Sequence, residues 1–344
     1  MDRYELRRQD YSLSPDQCDL RAAYAKFFRA NCTIEQVRSA EPLGFDKSLW
    51  EKLCATGAST MAFPEASGGD GAELVDLAVV AEEIGRSLAP VPWIDHVCAG
   101  RLLARIGTLD AGILSGERIA ALDPQHEPGT STRLIASGAI ADDVVVCDGD
   151  AIVALTFDTR PPALENLGRL PMAWIDLESA HTRTVLATGE NGLAEYRRAL
   201  DEWRVLTAAA LVGLADEALS IAAEFAKTRY TLGVPIATLQ AVSHPLANIA
   251  IAVAGGRNLC RRAAWLLDHE PHHRAELAMC AFVYMAEEAA KATATAVHVQ
   301  GGLGVSTEAA STAYFVRAKG WPLAAGDPGV LCQQIAALVG SRAG

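Results

Sequence analysis

Arg229-Tyr-Thr-Leu-Gly-Val-Pro-Ile-Ala-Thr-Leu-Gln-Ala-Val-Ser-His244, read together with His298-Val-Gln-Gly-Gly-Leu-Gly304, decides the fold of this chain. Upstream of the first stretch, Val205, Ala209, Val212, Ala215, Leu219 and Ala222 recur at intervals of three and four, the buried stripe of one long helix. Gly233 and Pro235 break that period, so Arg229 stands at a helix end. There its guanidinium is placed for a bidentate contact to phosphate, or is simply a surface charge. A second helix is expected from about Pro245 through Leu267, and a third from about Arg274 to Val299. Gly301, Gly302 and Gly304 follow the third. Lacking Cβ, they let the backbone approach a pyrophosphate closely, or they serve as an ordinary helix cap. Three long helices and a short terminal one predict an up-and-down bundle.

Working outward, residues 1–116 read as a helical domain interrupted by one turn-forming cluster, Phe63-Pro-Glu-Ala-Ser-Gly-Gly-Asp-Gly71. Leu49, Trp50, Leu53 and Cys54 have helical spacing before Gly57, and an amphipathic helix is expected over Leu77–Leu88, ending near Pro90 and Pro92. Residues 117–192 change texture. Val144–Cys147, Ala151–Leu155 and Met172–Ile175 are short β-prone runs between Asp, Gly and Pro, which predict a small β domain. Residues 193–344 form the helical bundle.

Composition narrows the function classes. The 344 residues suffice for about two domains with a substantial core. The formal charge of −12 and pI near 5.2 argue against nucleic acid or an anionic membrane as the main partner. An acidic protein still binds an anionic coenzyme through a few arginines and helix N-termini. Eight scattered cysteines, none in Cys-x-x-Cys, fit a reducing cytosol and give no zinc site or disulfide frame. The N-terminus lacks the apolar stretch of a signal peptide, and no unbroken apolar run has membrane-spanning length, so a soluble cytoplasmic protein is expected. His272-His273 reads as a solvated loop rather than a metal site, as does His126, and Trp265 and Trp321 read as packing residues.

The two glycine-bearing stretches resemble the flavin-binding signature of acyl-CoA dehydrogenases, Arg-x-x-Phe-Gly-x-Pro-Ile-x-x-Phe-Gln-x-x-x-His followed by Gln-x-His-Gly-Gly-x-Gly. Arg229, Gly233, Pro235, Ile236, Gln240, His244, Gly301, Gly302 and Gly304 match it. Where the family has Gln-x-His, this chain has His298-Val-Gln300, so the polar residues exchange order. Glu82, Glu83, Gly85 and Arg86 match a Glu-Glu-x-Gly-Arg element of the family's N-terminal domain. The resemblance covers nearly the whole chain. It implies a mainly helical fold with an N-terminal helical domain, a trimmed β-barrel-like middle domain and a C-terminal four-helix bundle. It further implies FAD as cofactor, with Arg229, Gln240, Gln300, Gly301, Gly302 and Gly304 binding it, partly across a subunit boundary, and an acyl-CoA thioester as substrate.

The chemistry of that family needs a carboxylate base beside the thioester's α-carbon, and here the pattern departs. Aligning Gly326–Gln334 on the base-bearing C-terminal segment puts Gly329 at the usual glutamate. A minority of the family carries the base on the long helix, where counting from Arg204 puts Trp203. Asp327 is the nearest replacement at the first place. At the second, Asp201 and Glu202 adjoin Trp203, but one residue of shift turns a helical side chain by about 100°. Three readings stay open: a homomeric dehydrogenase using Asp327; a base-less subunit pairing with a homologous catalytic partner in an α2β2 assembly, acting on a sterol or lipid side-chain CoA ester; or a flavoprotein of related fold acting on a non-CoA substrate.

Overall fold

Side-chain caps set where the N-terminal helices begin. Ser14 accepts from the Gln17 amide and Gln17 returns a bond to Ser14 at the start of α1 (Pro15–Asn31); Thr33 and Gln36 repeat the exchange at α2 (Ile34–Ser39). Asp46 opens α3 (Lys47–Ala55) by accepting from the Leu49 N–H at 3.0 Å. The computed structural model describes residues 10–125, 130–271 and 276–340. In it α4 (Leu74–Ser87), α5 (Trp93–Arg105) and α6 (Ala111–Ser115) complete the N-terminal helices. Helix α4 begins at Leu74 rather than Leu77, because Glu73 and Asp76 cap it reciprocally.

Six strands follow: β1 (Ala120–Leu122), β2 (Thr132–Ile135), β3 (Asp143–Asp148), β4 (Ala151–Thr156), β5 (Ala173–Asp176) and β6 (Thr182–Thr188). They make a four-stranded sheet ordered β1-β3-β4-β6 and a separate β2-β5 pair. Val144 lies opposite Leu155 and Val146 opposite Val153, and these pack with Ile135 and Ile175 into a small core of their own. The sequence pattern marked only β3, β4 and β5. Strand β1 is a three-residue Ala-Ala-Leu, and β6 is a mostly exposed Thr-Arg-Thr-Val-Leu-Ala-Thr without a buried alternation.

The C-terminal half is built on α7 (Gly189–Thr228), 40 residues and about 60 Å long at 1.5 Å per residue. A tight hairpin of β7 (Tyr230–Thr231) and β8 (Val234–Pro235) turns the chain into α8 (Gln240–His269), which is followed by α9 (Glu276–Gln300). Helix α8 starts before Pro245 and carries that proline at the loss of one main-chain bond. Two short helices, α10 (Ala310–Gly320) and α11 (Pro328–Gly340), stand where one was expected. Among the described residues α7 is the one helix long and apolar enough to cross a bilayer, yet 72% of its most apolar window is buried inside the fold. A search for an unbroken apolar run passes over it, because its polar residues are spaced along the helix.

Helices α4 and α7 cross with their backbones in contact. A methyl group on Gly85 would overlap the Ala210 carbonyl, and one on Gly213 would overlap that of Glu82. Around this crossing Arg257 of α8 reaches Glu82 at 2.8 Å and Asp216 at 2.9 Å, while Arg86 reaches Asp216 at 2.8 Å. The Glu-Glu-x-Gly-Arg element is therefore a crossing device: the glycine admits the second helix and the charges clamp it.

Candidate functional site

Cross-links fix the direction of the bundle helices. Asp268, near the end of α8, and Glu202, in the N-terminal half of α7, share Arg101. Asp216 meets Arg257 further along α7, and Tyr284 of α9 donates to the Ala252 carbonyl of α8 at 3.4 Å. Helices α7 and α8 thus run antiparallel, and the C-terminus of α7, the N-terminus of α8 and the C-terminus of α9 gather at one end. This brings Arg229, Gln240 and the loop 300–304 to the same face of the molecule.

Arg229 is exposed there, and none of the described acids forms an ion pair with it. Its backbone is held firmly. Its N–H donates to Phe225 O at 2.9 Å, and its carbonyl accepts from Ile236 N–H at 2.8 Å. Leu232 (φ 48°) and Gly233 (φ 80°) form the two-residue hairpin tip, both in the left-handed region that a type I′ turn needs. Leucine seldom adopts that conformation, and this one is 94% exposed. Gln240 is exposed as the first residue of α8.

The glycine loop divides into two parts. Gly301 (φ 59°) and Gly302 have open space where a Cβ would stand, so a ligand can come up against their backbone. Gly304 does not: a methyl there would overlap the Val297 carbonyl, so the loop's own packing requires this glycine. Gln300 turns inward, its Oε1 accepting from Ser311 Oγ at 3.3 Å and its Nε2 buried without a partner. The donor set of this end (an unpaired guanidinium, two approachable glycines, an exposed amide side chain) fits an anionic dinucleotide; Gln300 and Gly304 serve the shape of the loop.

A second place lies midway along the fold. A mostly apolar cavity of about 80 Å³, partly open to solvent, is lined by the segment after α4, by α5, by α7, by the β2 end and by the end of α10. Its lining includes Leu88, Asp95, Ser137, Trp203, Thr207 and Trp321. The Trp203 indole N–H donates to Asp95 Oδ1 at 2.7 Å, and the Ser137 hydroxyl donates to Asp95 Oδ2. The Trp203 ring packs on Phe282 of α9 with centroids 5.6 Å apart. Burial pushes the Asp95 carboxyl up, and the bonds from Ser137 and Trp203 oppose that rise. Asp95 escaped the sequence reading; the available signal was an acid flanked by Trp93, Ile94 and Val97 on the inward face of a helix.

The other acids weighed from sequence are occupied elsewhere. Asp327 is exposed and accepts from the Gly329 N–H at 2.8 Å at the start of α11, and neither residue lines the cavity. Asp201 pairs with Arg204 at 2.7 Å. Glu202 is fully buried, with Arg105 at 2.9 Å and Arg101 at 3.2 Å. Burial alone would raise its carboxyl, but Arg101 and Arg105 outweigh this and hold it down at about 2. Trp321 borders the cavity and donates to Gly168 O at 3.0 Å, while Trp265 stacks on His269. Among the described residues no group of three acids, cysteines or histidines could hold a metal, and the cysteines are free. His126 and His272-His273 lie outside the described residues.

Long bundle helices, a small sheet insert and an open arginine–glycine end define a mainly helical scaffold with a face suited to an anionic ligand. Family models match residues 14–111 (acyl-CoA dehydrogenase, N-terminal domain) and 190–340 (acyl-CoA dehydrogenase, C-terminal domain). The acyl-CoA dehydrogenase IpdE2 of Mycolicibacterium smegmatis is 30% identical over 317 residues, spanning 90% of this chain and 94% of that protein. FadE27 of Mycobacterium tuberculosis is 30% identical over 349 residues, spanning 90% and 93%. Among solved structures, the ChsE4-ChsE5 complex from Mycobacterium tuberculosis matches with a TM-score of 0.86 at 26% identity, over 96% of this chain and 99% of that one. The chain belongs to the acyl-CoA dehydrogenase family, a family of FAD-dependent oxidoreductases.

Proposed function

We propose that this chain is a subunit of an FAD-dependent acyl-CoA dehydrogenase. It lends its bundle end to a flavin shared across a subunit boundary, while a homologous partner in an α2β2 assembly supplies the carboxylate base. Arg229 would hold the FAD phosphates, with Gln240, Gly301 and Gly302 offering polar and main-chain contacts, and Gly304 and Gln300 shaping the loop. The bound flavin supplies the hydride acceptor for α,β-dehydrogenation of an acyl-CoA thioester, of the sterol or lipid side-chain class. The residues divide into an N-terminal helical domain (1–116), a β domain (117–192) and the bundle (193–344).

One observation carries this reading. The hairpin beside Arg229 holds an apolar side chain, Leu232, 94% exposed in a left-handed turn, next to a guanidinium with no acid partner among the described residues. Strain and exposure of this kind concentrate where a further molecule completes the surface. The named ChsE4-ChsE5 complex, whose chain this one resembles over nearly its full length, supports a second homologous subunit. The place of a base on the long helix is held by Trp203, and Asp327 is exposed at a helix start and absent from the cavity's lining, which supports a base from elsewhere.

The test is purification alone and after co-expression with a homologous neighbouring gene. The expected result is a flavin-bearing complex, and a lone chain that does not reduce a ferricenium acceptor with acyl-CoA. Within the complex, Arg229→Ala should weaken FAD retention by roughly a hundredfold, the scale of an arginine hot spot. A lone chain that dehydrogenates acyl-CoA at ordinary rates overturns the reading.

A further inference from the structure

We infer that Trp203, pinned by Asp95, is the residue that shuts this chain's own cavity to an acyl tail, so that the thioester binds on the partner's side alone. The inference rests on the acyl-CoA reading above and adds to it the device that makes the two subunits unequal.

The first argument is volume. The cavity measures about 80 Å³. An apolar cavity that takes benzene measures about 150 Å³, and a water occupies about 30 Å³ of liquid. The space beside Trp203 is therefore about half of what benzene takes, too little for a hydrocarbon chain. Its walls are nonetheless mostly apolar: Leu88, Ile94, Pro171 and Ala210 line it, and the polar side chains among them are Asp95, Ser137, Thr207, Arg169 and Arg317. Trp203 enters this lining from the middle of α7, beside Thr207 one turn further on. Take the indole away and the space it fills joins the cavity.

The second argument is fixity. Three contacts stop the ring from swinging aside. Its N–H donates to Asp95 Oδ1 at 2.7 Å, its face packs on Phe282, and Asp95 is itself held by the Ser137 hydroxyl. Moving the indole would strip a donor from a carboxylate that is only 8% exposed. The closure is thus built in, and is no lid that opens for substrate. Asp95 acts here as a positioning residue: its acceptor oxygen fixes the plane of the ring.

The experiment compares the full-length chain with Trp203→Gly and with Trp203→Leu, which retains an apolar filler where the glycine variant folds poorly. Each is titrated calorimetrically with indole and with octanoyl-CoA, and melted with and without indole. The wild type is expected to take up neither probe. Trp203→Gly is expected to bind one indole per chain, to regain part of its lost melting temperature in indole, and to bind octanoyl-CoA at least tenfold more tightly than the wild type. Trp203→Leu is expected to bind octanoyl-CoA at an intermediate strength. Wild-type protein that binds octanoyl-CoA as tightly as either variant overturns the inference, as do folded variants that bind neither probe. Uptake of indole without octanoyl-CoA overturns the acyl assignment of the cavity while leaving Trp203 as its plug. Because indole binding requires no acyl-CoA function and no partner, that outcome is distinct from failure of the co-expression test.

Discussion

One helix carries both of the places described here, and they are opposites. At the far end of α7, Arg229 has no acid partner among the described residues, Leu232 stands 94% exposed, and Gly301 and Gly302 leave their backbone approachable. Midway, the two buried carboxylates are spoken for: Asp95 by Trp203 and Ser137, Glu202 by Arg101 and Arg105. Unsatisfied surface is a request for a partner, and a satisfied interior is a finished structure. On the proposed reading, the chain's share of the chemistry lies at its edge, in groups that meet another molecule.

The closed region is broken most severely at Glu202. Glu202→Gln leaves Arg101 and Arg105 with only Asp268 and Glu195 as acid partners, and should lower stability by about 2–4 kcal/mol in urea unfolding. The same carboxylate sets an acid limit. Its folded-state value of about 2 lies below the ordinary glutamate range, so the unfolded chain takes up the proton first. Its stabilisation is complete above pH about 4.5 and is lost as pH falls toward 2, on the order of 3 kcal/mol in all. Stability followed against pH should show that loss in the wild type and not in Glu202→Gln; equal acid sensitivity in the two would contradict the ion-pair account.

The glycine loop sharpens the comparison at intermediate size. Gly304→Ala pushes a methyl into the Val297 carbonyl and should lower stability by about 1–3 kcal/mol. Gly302→Ala meets open space and should leave the melting temperature nearly unchanged, within about 0.5 kcal/mol, while weakening FAD retention in the assembled enzyme. Identical behaviour of the two variants in both assays would erase the distinction between packing and ligand-facing glycines. The smallest effect is expected at Asp327. Since Asp327 caps α11 and stays exposed, Asp327→Asn should change stability by a few tenths of a kcal/mol and leave the assembly's turnover unaltered. A large drop in rate would restore Asp327 as the base.

The parts of this fold that were legible from sequence are those marked by punctuation. Gly233, Pro235 and the loop at 301–304 end helices by backbone rules that need no neighbours, and they led to the bundle and its open end. Helix α8 began earlier than Pro245 suggested, because a proline near a helix start sacrifices only one bond. Strand β6 lacks a buried face and so left no pattern. The cavity was the least visible element. Nothing local distinguishes Asp95 from a surface acid until α5 is laid against α7 and the Trp203 indole comes within 2.7 Å. Gly85 was visible as a motif letter, but its reason, the Ala210 carbonyl on another helix, is a tertiary fact.

The glycine contact between α4 and α7 also makes the long helix a lever. With Gly213 seated against Glu82 and Gly85 against Ala210, the rod can neither slide nor thicken there. From that fulcrum the arm to Arg229 is about 24 Å and the arm to Trp203 about 15 Å, at 1.5 Å per residue. Any tilt of α7 about this contact would carry the two places in opposite senses, in the ratio of those arms, so the bonds that pin the indole also resist movement of the outer tip.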